Sequence, residues 1–284
     1  MLTPVRAAWL ALALLAGPAL ARALDGADAA LVFVAVLLAA LGWGTGVVAV
    51  LVPRSLGLTG LRVLAPLALA GAVACAIASS VGPAEVLALV GSAATAALVL
   101  VGPGVADAFV DGSSYGDERR FALRVPIAVL AGPAELAWLV LVLPVGGALL
   151  VAGGNVIVGV VLIAVGAAGG LPALRALHQL ARRWVVFVPA GFVLHDPLAM
   201  ADPMLFPKRM VKALRPAEVG DDAGGAIDLT RGAPGLVLAL ELTEATTVGL
   251  VQGRATSEST ETTRLLFAAC RPGAVLTEAR SRNL

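Results

Sequence analysis

The sequence predicts a membrane α-helical bundle of about six transmembrane helices, followed by a small cytosolic β-rich domain. Apolar residues make up 59% of its 284 residues and charged residues only 14%, whereas soluble domains carry about 45–50% and about 25%. The apolar segments fill residues 1–170, a basic junction covers 171–183, and residues 184–284 have the composition of a soluble domain. The chain is therefore expected to have a transmembrane half and a soluble half.

The first apolar segment, about 7–24, allows two interpretations. It is long enough for a retained transmembrane helix. The single charge of Arg6 before it and the small residues from Ala19 to Ala23 also fit a cleaved signal peptide. We expect the helix to be retained, and both interpretations place the following loop on the outer side of the membrane.

Five further apolar segments are expected to cross the membrane. Their approximate bounds are 29–52, 63–80, 86–105, 125–149 and 155–170. A tight Gly82–Pro83 turn separates the second of these from the third, and the last helix is expected to continue through Pro172 into the junction. Glycines recur along these segments, and we expect them to let the helices of a compact bundle pack closely.

The arginines set the expected orientation, because short cytoplasmic loops are enriched in positive charge. With the N-terminus inside, the outer loops carry only Arg22. The inner segments then carry nine arginines: Arg6, Arg54, Arg62, Arg119, Arg120, Arg124, Arg175, Arg182 and Arg183. Both termini and the C-terminal domain are therefore predicted to lie on the cytoplasmic side of the plasma membrane.

The longest loop of the membrane half runs from Ala106 to Arg124 and carries charges of both signs. A loop of this composition is ordinarily solvated and cytoplasmic. The alternative is that it docks onto the C-terminal domain.

Two polar residues fall within the apolar segments. Glu135 is expected near the middle of the fifth, where an ionised carboxylate costs about 2.5–3.5 kcal/mol. It is a candidate for a proton- or cation-handling site, and the alternative is a protonated carboxyl group that bonds a neighbouring helix. Asn155, near the outer end of the sixth segment, is expected to cap a helix or to lie at the membrane interface.

From Trp184 the pattern changes to short β-branched and aromatic runs between turn residues, which is typical of strands. WVVFV and FVLH, joined by Pro189–Gly191, predict a hairpin, and LFPKRMVKAL predicts a third strand that Pro207 confines to an edge or bulge. The remaining runs are AIDL, GLVLALEL, TTVGLV and, after a polar loop at Gln252–Glu261, TRLLFAA. A closing helix with Pro272 near its start is predicted.

Three parts of this half carry a resemblance: RRWVVFVPAGFVLHDP, GLVLALEL, and the closing strand and helix. Their order resembles the pleckstrin-homology (PH) type of barrel, in which the last helix plugs one end, as in bacterial PH-like domains attached to membrane spans. The whole chain is similar to multi-span actinobacterial membrane proteins. The resemblance implies a binding or scaffolding module, and a generic small β-barrel or sandwich is the alternative.

Signatures of enzyme chemistry are missing from the sequence. It has no P-loop, nucleophile elbow, dinucleotide fingerprint or Cys/His cluster, so catalysis and a cofactor are not predicted. His195–Asp196 could serve a metal or acid–base site, but a metal needs further ligands and the other histidine is His178. GDDAGG at 220–225 is ordinary turn chemistry. No aromatic interleaving accompanies the basic residues, which argues against nucleic-acid binding.

Basic residues are the candidates for contact with a lipid or a partner. Arg182 and Arg183 are expected at the membrane surface. A second group is expected on or beside the third strand: Lys208, Arg209, Lys212 and Arg215. Near the inner leaflet, each charge attracts anionic headgroups by about 1 kcal/mol. The alternative is that these charges protect a solvated edge strand from aggregation.

We therefore expect a non-enzymatic membrane protein whose PH-like domain binds a protein partner or an anionic lipid in a scaffolding role. The alternative is a proton- or ion-coupled transporter or channel-like bundle that uses Glu135, with the C-terminal domain as its regulator.

Overall fold

The chain folds into two compact units. The computed structural model describes residues 2–102, 104–218, 225–252 and 256–284. The helical unit consists of Met1–Val105 and Ala134–His178, and the β unit consists of Ala106–Pro133 and Gln179–Leu284. The chain thus enters the β unit twice, which departs from the single boundary predicted at residue 184.

Six helices are long and apolar enough to cross a membrane, as the sequence predicts. In chain order the helices are α1 (Thr3–Ala23), α2 (Ala29–Leu51), α3 (Ser55–Ser79), α4 (Pro83–Val101), α5 (Val105–Asp111), α6 (Ile127–Val129), α7 (Glu135–Ala152), α8 (Val156–Leu180) and α9 (Pro272–Ser281). The candidate spans are α1 to α4, α7 with the turns before it, and α8. The main departure is that α3 begins well before residue 63. The expected continuation of the last helix through Pro172 is confirmed, because α8 ends at Leu180.

The fifth span is broken near its start. Backbone angles leave the helical range at Ala131 and Gly132, and the continuous helix α7 begins at Glu135. Pro133 explains the break, because proline lacks the amide hydrogen of a helix interior and clashes with the preceding turn. Glu135 therefore lies at the start of the continuous helix α7 and within the candidate span Ile127–Ala152.

Two tryptophans fasten α1 to α2. Trp9 Nε1 donates a hydrogen bond to the Trp43 carbonyl oxygen at 2.9 Å, and Trp43 Nε1 donates to the Trp9 carbonyl oxygen at 3.1 Å. A Cβ added at Gly46 would lie 2.0 Å from the Trp9 ring. The glycine therefore gives the indole its space, and the reciprocal bonds satisfy both N–H groups within apolar segments.

Glycines also set the spacing between α7 and α8. A Cβ at Gly147 would lie 2.6 Å from the Gly159 carbonyl oxygen, and a Cβ at Gly159 would lie 2.6 Å from the Gly147 carbonyl oxygen. At Gly166 and Gly169 a Cβ would lie 2.4 Å and 2.7 Å from side chains of α7. The predicted role of small residues in close helix packing is confirmed at these positions.

The loop between α4 and α7 belongs to the β unit. After α5 it forms β1 (Arg119–Ala122), which pairs antiparallel with β2 (Trp184–Val188). Asp111 holds the connection, because its Oδ1 accepts the Arg120 amide at 2.9 Å and its Oδ2 lies 2.9 Å from Arg119 Nη1. Of the two interpretations of this loop, the structure supports docking onto the C-terminal domain.

The first sheet has the strand order β1-β2-β3-β4, with β3 at Gly191–His195 and β4 at Met204–Pro207. Strands β2 and β3 form the hairpin that the sequence predicts. A Cβ at Gly191 would lie 2.1 Å from the Phe206 carbonyl oxygen. Glycine is therefore needed where β3 and β4 approach each other.

LFPKRMVKAL does not form the single third strand that was predicted. Strand β4 ends at Pro207, a 3-10 turn covers Lys208–Met210, and β5 (Val211–Pro216) joins the other sheet. Proline cannot donate to a strand ladder, so the chain leaves the first sheet there. Both β4 and β5 lie at sheet edges, in agreement with the expected place of Pro207.

The second sheet has the order β5-β7-β8-β6. Its other strands are β6 (Ile227–Asp228), β7 (Leu238–Gln252) and β8 (Thr256–Phe267). GLVLALEL and TTVGLV form the one strand β7, and the predicted polar loop after it is strand from Thr256, because β-branched threonines favour the pleated surface. Residues 253–255, and GDDAGG except its last glycine, lie outside the described residues.

The core of the β unit lies between the two sheets and under α9. It includes Phe121 of β1, Phe187 of β2, Phe267 of β8 and Val275 of α9. The predicted closing helix is therefore confirmed. Over the described ranges the two four-stranded sheets are not closed into a barrel, so the predicted barrel is replaced by two sheets over one core.

Candidate functional site

Arg183 is not available at the membrane surface, contrary to its prediction. Its side chain is 1% exposed and that of Asp196 is 0% exposed. Arg183 Nε donates to Asp196 Oδ1 at 2.7 Å and Nη2 donates to Oδ2 at 2.6 Å, while Nη1 donates to the Arg124 carbonyl oxygen. This buried bidentate pair fixes the start of β2 to the turn after β3, so Arg183 is a structural residue.

The same ion pair removes Asp196 from the possible His195–Asp196 metal or acid–base site. Asp196 is committed to Arg183, whereas the His195 ring lies 4.9 Å from the ring of Trp184. In the helical unit, His178 Nδ1 lies 3.0 Å from the Thr59 hydroxyl oxygen. Among the described residues, no three His, Cys, Asp or Glu side chains come together around a possible metal position.

The four basic residues of LFPKRMVKALR separate into two sets. Lys208, Arg209 and Lys212 are exposed on the 3-10 turn and the start of β5, and we call these three the basic strip. Lys208 Nζ also donates to the Arg282 carbonyl oxygen at 3.2 Å, which leaves its charge without a carboxylate partner in that contact. Arg215, further along β5, is instead bound to Glu241.

Glu241 of β7 collects three cations. Arg215 Nη2 donates to Glu241 Oε1 at 2.7 Å, Arg264 Nη2 donates to the same oxygen at 3.3 Å, and Lys212 Nζ lies 3.8 Å from Oε2. The hydrogen bond from Arg215, which outweighs burial, lowers the pKa of Glu241 below its ordinary value. Glu218 adds a second carboxylate 3.7 Å from Arg215, so the one positive charge in excess in this group is that of Lys212, which belongs to the basic strip.

Of the two arginines predicted to lie at the membrane surface, Arg182 is the one that stays exposed. It is exposed in the turn after α8, where its amide donates to the Gln179 carbonyl oxygen at 3.1 Å. Arg182 and Arg183 are neighbours in sequence, yet only Arg182 can meet a lipid or a partner.

The two polar residues predicted inside the membrane half lie at helix starts. Glu135 is exposed, whereas α7 buries Ala137 and Gly147, so the carboxylate is not enclosed by the helices of the unit. Asn155 directly precedes α8, and its carbonyl oxygen accepts the Gly159 amide at 3.1 Å. This is the cap position that was one of its two predicted roles.

A buried carboxylate that the sequence analysis missed lies at the start of α4. Glu85 is 0% exposed; its Oε2 accepts the Gly82 amide at 2.9 Å, and its Oε1 accepts the Ser79 hydroxyl at 3.0 Å and lies 3.4 Å from Arg22 Nε. The contacts join the ends of α1, α3 and α4. The signal is Gly82–Glu85, in which an acidic residue follows a turn glycine by three positions, as in a capping box.

The side chains described above form ion pairs, helix caps and an exposed basic strip. No protein family, curated protein or solved structure matches this chain. The function is therefore argued from the charges and connections of the chain itself.

Proposed function

We propose that the protein is a six-span protein of the plasma membrane whose β unit lies in the cytoplasm and acts as a non-enzymatic scaffold. The β unit binds a protein partner or an anionic lipid through the basic strip. The observation that carries this proposal is that Lys208, Arg209 and Lys212 are all exposed on one turn and the strand start after it. Lys212 lies 3.8 Å from a Glu241 oxygen, whereas Arg183 and Arg215 are bound to carboxylates at 2.6 Å and 2.7 Å.

The connectivity of the β unit supports a crossing of the membrane by each of the last two spans. Its two segments, Ala106–Pro133 and Gln179–Leu284, are separated in the chain by α7 and most of α8. A chain that crosses a bilayer twice returns to the side from which it left. Both segments then emerge on one side and can fold together, whereas a single crossing would separate them.

The charge distribution supports the cytoplasmic side. The predicted inner segments carry nine arginines and the outer loops carry Arg22 alone, as expected for cytoplasmic loops. Arg22 itself lies 3.4 Å from the buried carboxylate of Glu85. The exception to the charge bias thus has a structural partner.

The order of elements supports a PH-like relationship for the β unit. Strands in two sheets are followed by one C-terminal helix whose Val275 and Ala279 enter the shared core. Three features depart from the expected pattern. Over the described residues the two sheets are not closed into a barrel. Strand β1 comes from the loop between two spans, and β6 pairs parallel to β8.

A proton- or ion-coupled bundle is the alternative function. It needs a carboxylate that faces a path through the bundle, and the exposed position of Glu135 at the start of α7 gives it no support. Glu85 is buried, but its oxygens serve the Gly82 amide and the Ser79 hydroxyl. The scaffold is therefore the better supported proposal.

Charge reversal of the basic strip tests the proposal. In the full-length protein, Lys208→Glu/Arg209→Glu/Lys212→Glu is expected to reduce co-purification of its partner protein or anionic lipid by at least about tenfold, because each charge near an anionic surface contributes about 1 kcal/mol. Mass spectrometry of protein and lipid in nanodisc preparations measures the loss. Arg231→Glu changes one exposed cation outside the strip and is expected to keep the partner. Equal capture by the triple variant and the wild type would contradict the proposal.

A further inference from the structure

A second cationic cluster lies on the first sheet, on the face opposite the core. Trp184 of β2 is directly opposite His195 of β3 in the register, and their rings are 4.9 Å apart. Arg120 of β1 places its guanidinium carbon 5.8 Å from the centre of the Trp184 ring. Side chains alternate between the faces of a strand, so these three share one face, and Phe121 points to the other.

Two buried nitrogen atoms of this cluster have no hydrogen-bond partner among the described residues: Arg120 Nε and His195 Nδ1. Buried polar groups are as a rule hydrogen-bonded, so these two atoms beside one tryptophan are available to pair with groups of a ligand. Glu118 accepts from Arg120 Nη2 at 2.9 Å and takes up part of the Arg120 charge. Arg182, exposed beside the cluster, supplies a second cation.

The chemistry of a ligand follows from whether each of the two unpartnered nitrogen atoms donates or accepts a hydrogen bond. Burial, followed by the positive charge of Arg182, lowers the pKa of His195 below its ordinary value, and a hydrogen bond to the Arg182 backbone opposes this shift. A lowered pKa favours the neutral ring, in which one nitrogen can accept a hydrogen bond, and Nδ1 is the nitrogen without a partner among the described residues. Arg120 Nε is a donor. The cluster can therefore bind a ligand that has an anionic oxygen for Arg120 next to a hydroxyl group for His195.

We propose that Arg120, Arg182, Trp184 and His195 form a site for the headgroup of an anionic phospholipid that carries hydroxyl groups next to its phosphate. The phosphate binds Arg120 and Arg182, and a headgroup hydroxyl donates to His195. This inference rests on the proposed function, because it needs α8 to cross the bilayer. At about 1.5 Å per residue from Val156, about 30 Å of hydrocarbon is crossed near Arg175, so Arg182 and Trp184 follow close to the headgroup layer, where tryptophan is enriched.

Lipid retention by the full-length protein in nanodiscs tests the site. With phosphatidylglycerol, phosphatidic acid and phosphatidylcholine offered together, we expect phosphatidylglycerol to be retained in native mass spectra at least about tenfold over phosphatidylcholine. Arg120→Gln/Arg182→Gln is expected to remove that advantage. The matched control is Arg119→Gln, on the neighbouring residue of β1 and the opposite face, and it is expected to retain the lipid. His195→Phe is expected to lower retention of phosphatidylglycerol to that of phosphatidic acid.

The site is overturned by the absence of a preference in the wild type, by equal loss in Arg119→Gln, or by displacement of the lipid by millimolar glycerol phosphate, which would assign the site to a free phosphoester. The melting temperature of Arg120→Gln/Arg182→Gln is expected to stay within about 2 °C of the wild type. The lost lipid retention is then due to the site and not to unfolding. If the basic-strip triple variant loses phosphatidylglycerol and Arg120→Gln/Arg182→Gln keeps it, this site is overturned and the proposed scaffold function is left intact.

Discussion

Replacing Asp196 with alanine is expected to destabilise the β unit by about 3–5 kcal/mol. The substitution leaves Arg183 buried with an uncompensated charge, and removal of one partner of a buried ion pair costs about this much. The loss should be concentrated at β2 and β3, since the pair joins the start of one strand to the turn after the other. Hydrogen exchange of the β2 and β3 amides in the full-length protein measures the local free energy of opening.

A double variant separates charge from packing in this experiment. Arg183→Met/Asp196→Leu removes both charges and keeps most of the buried volume, and such replacements are often neutral in stability. We expect the double variant to recover most of the protection that Asp196→Ala loses. Unchanged exchange in Asp196→Ala would show that the ion pair does not hold the two strands.

Replacing Phe121 with alanine is expected to cost the β unit about 3–5 kcal/mol, the usual range for a buried phenylalanine. Phe121 is 5% exposed, and its ring packs edge-on against Phe187 with 5.8 Å between the ring centres. The substitution lies in the loop between two spans, yet we expect its effect in strands of the C-terminal region. The exchange of β2 amides or the melting temperature of the full-length protein measures it.

Tyr115 is the matched control for Phe121. It is an aromatic residue of the same loop and is 88% exposed, so Tyr115→Ala is expected to change stability by no more than about 0.5 kcal/mol. A similarly small effect of Phe121→Ala would mean that β1 is not part of the core of the β unit.

The sequence predicts the helices better than the boundary between the units. Long charge-free segments can hardly do anything but cross a membrane or form a buried bundle, and all six candidate spans are present. Strand β1 is not predicted from the sequence, because its four residues, RRFA, look like part of a charged loop. Only the pairing of Arg119–Ala122 with β2, far along the chain, makes them a strand.

The sequence also does not show which of the predicted lipid-binding arginines remain exposed in the fold. Composition does not distinguish Arg182 from Arg183, because both follow the same helix and both suit a membrane surface. The difference comes from Asp196, which lies across the β2–β3 hairpin and buries Arg183. Sequence analysis weighed Asp196 for a metal or acid–base site and set it aside, and it selected Arg183 for lipid contact, whereas the fold pairs the two residues.

LFPKRMVKAL was ambiguous for a local reason. Its apolar residues are compatible with one strand, but Pro207 ends β4 and the 3-10 turn directs β5 into the second sheet. This bend brings Lys208, Arg209 and Lys212 together at the surface. The residues of the basic strip were predicted, but their arrangement depends on a chain reversal that a hydrophobic pattern does not encode.

The central claim is that residues 106–133 and 179–284 form one unit on the cytoplasmic side. Its most direct test is cysteine labelling in intact cells with a membrane-impermeant maleimide, in a Cys75→Ser/Cys270→Ser background. We expect Asp25→Cys, between α1 and α2, to react in intact cells, and Ser113→Cys and Arg209→Cys to react only after permeabilisation. Reaction of Ser113→Cys and Arg209→Cys under different conditions, or of both in intact cells, would contradict the account.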